Sequence, residues 1–360
     1  MTNQAAWITE PKARPLKVDS AADPKAGPGE VVIKNAAVSI NPVDWKIQDY
    51  GITTYQHDPC FPRLSANMTR GIFLQKYPNI LGTDVAGEVV EIGEGVKDLK
   101  KGQRVIGHCV GLGTNDPKHG GFQLYTVCKD IIVSPIPDSL SFEQAVVLPL
   151  AISTAATGLF KKDRLALPYP TNASKPTGKS VLVWGGSSSV GSSAIQLAAA
   201  AGVTVVTVAS SHNLEYVKSL GAEHAFDYKS PSVVDDIVSA VKGTGFTGVF
   251  DAISTAESTK IWAQVFQKLG GGGKYATTLP DPQGIPKDVT GGSVFALTVV
   301  DQDKDIGEAV WKKFVPEALA NGKLQAKPDP QVITGGLSKI QEGFDRLKQG
   351  VSAGKVVIKL

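Results

Sequence analysis

The sequence predicts an α/β protein: a doubly wound parallel sheet of the Rossmann type, inserted in an irregular, partly closed β-barrel. Three observations carry this. Residues 180–202, SVLVWGGSSSVGSSAIQLAAAAG, read as a buried strand, a glycine-serine turn and a helix of small apolar residues. Strand and helix patterns then alternate through Thr278. Ahead of this region, short β-rich runs alternate with glycine turns, and one more apolar run, GKVVIKL, ends the chain.

The β-rich runs are Glu30 to Lys34, Val85 to Ile92, Gln103 to Gly107 and Phe122 to Val127, with Gly354 to Leu360 as the closing strand. The barrel therefore draws on both chain ends, with expected bounds 1–153 and 300–360 around a dinucleotide-binding domain at 154–299. That domain opens with Val181 to Trp184, which leads into the turn Gly185-Gly186-Ser187-Ser188-Ser189-Val190-Gly191. Its glycines permit a tight turn and close backbone approach to a pyrophosphate, and the helix start aims amides at it. Ser188 stands where the usual G-x-G-x-x-G has a glycine.

The almost continuously β-branched Val203 to Ala209 is the second buried strand. A helix from Asn213 to Leu220 stops at Gly221. Then follow a strand at His224 to Tyr228, a helix at Val233 to Lys242, a strand at Gly248 to Ile253, a helix at Glu257 to Leu269 and a strand at Lys274 to Thr278. Such alternation implies right-handed crossovers, with ligands bound beyond the carboxyl ends of the strands. A further strand, Ser293 to Val299, is a candidate sheet edge.

The second strand ends in Ala209-Ser210-Ser211-His212-Asn213, without the carboxylate that binds the ribose hydroxyls of NAD. Small hydroxyls there favour NADPH. Ser210, Ser211 and Asn213 are candidates for the 2′-phosphate, and Ser210 and Asn213 are equally candidates for capping the next helix. Tyr228 and Lys229 offer stacking and positive charge. Ile253 and Leu279, at the ends of later strands, complete the candidate cofactor set; residues 277–288 read as a loop over the nicotinamide.

The 360 residues carry a net charge of +3, spread along the chain, which argues against nucleic-acid and membrane partners. No run approaches a transmembrane span, and the N-terminus lacks a signal-like apolar core. Cys60, Cys109 and Cys128 cannot all pair, so a reducing, cytoplasmic setting is expected.

GEVVIKNAAVSINPVDWK, ILGTDVAGEVVEIGEGVKDLKKGQRVIG, GGFQLYTV and LPLAISTAATGL resemble the medium-chain dehydrogenase/reductase superfamily, over nearly the whole chain and in the expected order. The resemblance is closest to zinc-independent quinone and enoyl reductases, with a Pro-rich segment at 167–176 like that of fungal stand-alone enoyl reductases. It implies a GroES-like catalytic domain around the Rossmann domain. Zinc-dependent members carry a cysteine where this chain has Asn41, and Gly-His-Glu where it has Gly82-Thr83-Asp84. Asparagine and threonine are poor zinc ligands, so no metal is expected; His108 and Cys109 lack a third ligand at convincing spacing.

The activity this resemblance implies is reduction of a conjugated C=C bond. Hydride from NADPH reaches the β-carbon, charge moves to the carbonyl oxygen, and a proton reaches the α-carbon. The resemblance places Asn41, Asp44 and Lys46 of INPVDWK, and Ser153 and Thr154 of AISTA, near the nicotinamide. Lys46 is a candidate donor to the enolate, or else a surface lysine paired with Asp44 or Asp49. Thr154 is a candidate contact for the nicotinamide amide or substrate carbonyl, or else a helix cap. Asn41 is expected to line the pocket and Asp44 to orient a neighbour. The substrate is a free or carrier-bound unsaturated carbonyl. Quinone reduction by the same hydride, and a cofactor-binding protein with little catalysis, are alternatives, and monomer and homodimer both stay open.

Residues 52–71, ITTYQHDPCFPRLSANMTRG, show neither helical nor strand period. Without them the flanks join in a sequence that resembles the relatives without a gap. A retained intron and a loop at the pocket mouth are the two readings.

Overall fold

The computed structural model describes residues 2–50, 74–280 and 284–360. The 52–71 segment lies outside these, as do three residues of the 277–288 loop. The strands, in chain order, are Asn3–Ile8 (β1), Lys17–Ala21 (β2), Glu30–Ser39 (β3), Asn79–Ile80 (β4), Asp84–Ile92 (β5), Arg104–His108 (β6), Tyr125–Lys129 (β7) and Val133–Pro135 (β8). They continue as Lys179–Trp184 (β9), Thr204–Ala209 (β10), His224–Asp227 (β11), Gly245–Asp251 (β12), Gly273–Thr277 (β13), Val289–Ser293 (β14), Asp329–Thr334 (β15) and Gly354–Lys359 (β16).

The described residues form two compact units, one from those up to Leu150 and from Ala326 onward, the other from Ala151 to Gln325. In the first, a seven-stranded sheet runs β15-β16-β3-β5-β6-β8, with β7 also pairing β3. The last strand therefore does join this sheet, between β15 and β3 and antiparallel to β3, with Val357 opposite Ser39. Its core gathers Ile33, Val38, Ile40, Val85, Phe122 and Ile358, all inaccessible to solvent.

In the second unit a parallel sheet runs β11-β10-β9-β12-β13-β14, the 3-2-1-4-5-6 order of the Rossmann fold. Five expected strands stand within three residues of their predicted bounds. The edge strand does not. Ser293 to Val299 was the candidate edge, but the edge is Val289–Ser293, and Ala296–Val300 is a 3₁₀ turn. Gly291 explains the shift. At its φ of +153° a side chain would meet the Tyr275 carbonyl oxygen at 1.9 Å, so glycine lets β14 press against β13. The apolar residues expected in a strand, Ala296 and Val299, instead enter the core from the turn.

The expected return to the barrel at residue 300 is likewise displaced, to 326. The segment after the sheet packs on its own unit. Lys161 Nζ bonds Asp303 (3.0 Å), and Trp311, within the π-helical turn Glu308–Phe314, is fully buried. Among the described residues the one run long and apolar enough to cross a membrane, Phe142–Phe160, is mostly buried.

The first unit also holds a buried acidic hub. Glu30 accepts from Lys129 Nζ (2.7 Å), the Gly27 amide (3.0 Å) and His119 Nε2 (3.0 Å), with Lys118 Nζ at 3.6 Å. Burial raises the affinity of Glu30 for a proton, but Lys129, the Gly27 amide and His119 together outweigh it and hold the carboxyl down from 4.5 to about 2. Because the folded value is the lower one, the stabilisation is complete above pH 4.5 and is lost as pH falls toward 2. In thermal unfolding the deficit of Glu30→Gln relative to wild type is therefore expected to shrink steadily between pH 5 and pH 2; a deficit independent of pH would contradict this.

Candidate functional site

The glycine turn begins where β9 ends. Gly185 has φ of +76°, and a side chain on Gly186 or Gly191 would strike Thr207 Oγ1 or the Gly185 carbonyl at 2.2 Å. Neither position has room for a side chain. Ser188, the departure from the glycine pattern, proves to be the N-cap of the Ser189–Ala200 helix: its Oγ accepts from the Gly191 amide (3.0 Å) and donates to the Gly185 carbonyl (2.9 Å). Serine thus performs locally what a third glycine cannot. The first helical amides, Ser189 and Val190, lie where no intrahelical acceptor exists, beside the positive end of the helix dipole. Ser187 and Val190 are half-buried here. This cradle fits a pyrophosphate.

The parallel register pairs Ala209 with Asp227, so Ser210 and Tyr228 leave neighbouring strand ends side by side. The Tyr228 amide donates back to the Ala209 carbonyl (3.3 Å). Tyr228 is exposed, with Lys229 Nζ 5.6 Å from its ring centre. Neither Ser210 nor Asn213 caps the following helix through its side chain. Ser211 is exposed and Asn213 buried.

At the end of β12 the sequence reading missed Asp251. This buried carboxylate accepts from the amides of Ile253 (2.9 Å) and Ser254 (2.8 Å), from Ser258 Oγ (2.6 Å) and from Trp262 Nε1 (3.0 Å). Burial pushes its pKa up, against those four donors. It fixes the turn on which Ser254 takes a φ of +59° and donates to the Asp251 carbonyl. The turn carries Ile253, which lies over Gly185 where a side chain there would be 2.4 Å away. Leu279 is half-buried after β13, its carbonyl accepting from Thr277 Oγ1 (3.0 Å). A lone aspartate ending an apolar strand was the available signal.

In the first unit, Asn41, Asp44, Thr83 and Asp84 converge and are joined by two residues that sequence reasoning missed, Ser39 and Lys355. Asp84 Oδ2 accepts from Ser39 Oγ (2.6 Å) and Asn41 Nδ2 (2.6 Å) and lies 3.4 Å from Lys355 Nζ, and Oδ1 accepts from the Leu150 amide (2.7 Å). Asn41 Nδ2 also donates to Thr83 Oγ1 (2.8 Å), and Asn41 Oδ1 accepts from Lys355 Nζ. Asp44 Oδ2 accepts from the Asn41 amide (2.8 Å). Burial carries the Asp44 carboxyl up to about 7; the Asn41 amide opposes this and the charge on Asp84 adds to it.

Lys46 sits half-buried on the Pro42–Tyr50 helix, 5.8 Å from the centre of the Trp45 ring. Of the two carboxylates offered as its surface partners, Asp44 is buried against Asn41, and Asp49 pairs with Arg14 (3.7 Å) and Lys348. Thr154 is 8% exposed inside the Pro149–Phe160 helix, well past its start, so it caps nothing. Ser153 is buried and its Oγ accepts from Trp311 Nε1 (3.0 Å). His108 is buried and its pKa falls to about 4 through burial, against the pull of Asp84. Cys109 faces Cys128 with sulfurs 3.9 Å apart, and burial pushes the Cys109 thiol up.

Comparison with known proteins agrees with this division. Residues 27–138 match the family of alcohol dehydrogenase GroES-like domains, and residues 189–278 match the family of zinc-binding dehydrogenases. The chain is 45% identical to the trans-enoyl reductase himH of Aspergillus japonicus, across 100% of this chain and 98% of that protein. It is 42% identical to the dehydrogenase orsE of Emericella nidulans, across 100% and 99%. Among solved structures it resembles an alcohol dehydrogenase superfamily protein of Novosphingobium aromaticivorans, with TM-score 0.74, 25% identity and full coverage of both chains.

Proposed function

The chain belongs to the medium-chain dehydrogenase/reductase superfamily, on its enoyl-reductase-like branch, and from that membership we propose that it reduces the C=C bond of an α,β-unsaturated carbonyl with NADPH. The superfamily and its Rossmann fold imply a nicotinamide cofactor. The observation that carries the choice of substrate class is the full-length likeness to a trans-enoyl reductase. What supports NADPH is the adjacency of Ser210 and Tyr228, with Lys229 beside them and no carboxylate ending β10.

A bound nicotinamide supplies hydride to the β-carbon, and the π electrons move onto the carbonyl oxygen. On this reading the glycine turn, with Gly185, Gly186, Ser187, Ser188, Val190 and Gly191, holds the pyrophosphate. Ser210, Ser211, Asn213 and Tyr228 hold the 2′-phosphate end, and Ile253 and Leu279 flank the nicotinamide end. Lys46 Nζ donates to the enolate and supplies the α-carbon proton; Thr154 orients the carbonyl or the nicotinamide amide. Asn41 and Asp44 shape the loop before Lys46. The reaction is read as zinc-independent, because the residues at the metal positions do not fit a divalent ion. The oxygen of Asn41 is committed to an ammonium, and the Thr83 hydroxyl to the amide of Asn41. Among the described residues no three His, Cys, Asp or Glu form a metal-binding group.

The first test is NADPH oxidation with trans-2-hexenal and mass spectrometry of the product. Saturated hexanal is expected; hexenol would mean carbonyl reduction and overturn the reading, as would NADPH binding without turnover of enals, enoyl thioesters or enones. Ser210→Asp places a carboxylate against the 2′-phosphate and is expected to raise the KM for NADPH roughly tenfold, about 1.4 kcal/mol, and to improve use of NADH. Lys46→Met is expected to lower kcat about 100-fold, the usual scale for loss of a general acid, with the KM for NADPH within about twofold of wild type. Equal kcat values would remove Lys46 from the chemistry.

A further inference from the structure

Lys355 shares its strand with the buried Val356, Val357 and Ile358, and its own side chain is almost entirely enclosed, unlike that of the exposed Lys359 at the strand's end. An ammonium taken out of water is costly and persists only where its partners are well placed. We propose that Lys355 is a positioning residue of the reductase site: its ammonium locks the Asn41 side chain, and through it the start of the helix that carries Lys46. The inference rests on the role assigned to Lys46 above.

The register of the sheet builds the contact. With Val357 opposite Ser39 on the antiparallel β16–β3 pair, the same register places Lys355 opposite Asn41, and the Ile40 amide bonds the Val356 carbonyl (2.9 Å) between them. On the other side of β3, Ser39 pairs with Asp84. Lys355, Asn41 and Asp84 therefore meet because three strands run in one register.

The chemistry then fixes a single orientation. An amide has one acceptor and two donor hydrogens. Asn41 gives its oxygen to Lys355 and its hydrogens to Thr83 Oγ1 and Asp84 Oδ2. Turned over, it would set its NH₂ against an ammonium and its oxygen against a carboxylate. The lysine thus determines which way Asn41 faces.

Asn41 is the residue immediately before the Pro42–Tyr50 helix. Proline in the first helical position is preset for the turn, and the third position, Asp44, reaches back to the Asn41 amide (2.8 Å), while the Asp44 amide bonds the Asn41 carbonyl (3.0 Å). This is the returning half of a capping box. The usual forward half, an Asn41 side chain capping the helix, is absent because that side chain is spent on Lys355, Thr83 and Asp84. The helix entry is anchored to the sheet through Asn41, and Lys46 follows two residues after Asp44.

Two variants test this. Lys355→Met leaves Asp84 buried without its cation and is expected to lower Tm and kcat together. Lys355→Met with Asp84→Asn removes both charges and is expected to restore Tm while kcat stays at least tenfold low and the KM for NADPH is unchanged. Recovery of kcat along with Tm would make Lys355 structural only and overturn the proposal. A second readout needs no turnover: hydrogen exchange of the amides at 43–48 is expected to quicken at least tenfold in the double variant, while that of β9 is unchanged. Wild-type exchange rates at 43–48 would also overturn it. Failure of wild type to reduce trans-2-hexenal would defeat the assigned activity, while the exchange measurement would still judge the lock.

Discussion

The pairing of β16 with β3 is the constraint on which the first unit depends. It joins residues 314 positions apart, Lys355 to Asn41, and leaves the segment between as a closed excursion. Closing so long a loop costs entropy that grows only slowly with its length, and the second unit can offset it by forming its own core around Leu182, Trp262 and Phe266. The antiparallel ladder then places every side chain of β16 by a period of two. A slip of one residue would turn Val356 and Ile358 out of the core and take Lys355 away from Asn41 and Asp84.

A buried ion pair is weak evidence of added stability, since desolvation offsets most of the attraction. The Asp84 cluster is better understood as a device for orientation. The groups that meet at Asp84 match it in character: hydroxyl, amide and ammonium donors converge on this carboxylate, and the Asn41 side-chain amide is used at both ends. Low polarity makes such a set unforgiving of rearrangement. The second carboxylate, Asp44, stands at the edge of this set without an ammonium bonded to it, which is why its proton affinity rises where burial and Asp84 act together. Either protonation state of Asp44 can accept from the Asn41 amide, so the helix entry does not depend on which one is present.

What was legible in the sequence follows from range. The glycine turn, five of the parallel strands and the helix starts announce themselves through neighbouring residues, because hydrophobic period and turn chemistry are local. That GKVVIKL joins the sheet of the first unit was also legible, by pattern and position. The β14 edge was not: Val289–Ser293 is mostly glycine and hydroxyl residues, and its reason for existing is the close approach of Gly291 to Tyr275. Asp251, Ser39 and Lys355 were hidden for a related reason. A buried charged residue in a strand looks locally like a flaw in the apolar pattern, and only the partners brought by register give it meaning.

That difference of range separates the two parts of the proposed chemistry. The proposed cofactor determinants fall between Gly185 and Leu279, on successive strand ends of one parallel sheet, where each crossover returns the chain to the same edge. Substitutions there alter one contact at a time. The determinants of the proposed proton donor come from residues 39–46, 83–84 and 355, held by cross-strand bonds, so a change at one reaches the rest. Lys46 itself has no strand to hold it. Its place is set by a helix that starts just after Asn41, and Asn41 faces the way it does because an ammonium stands on one side of it and a carboxylate on the other.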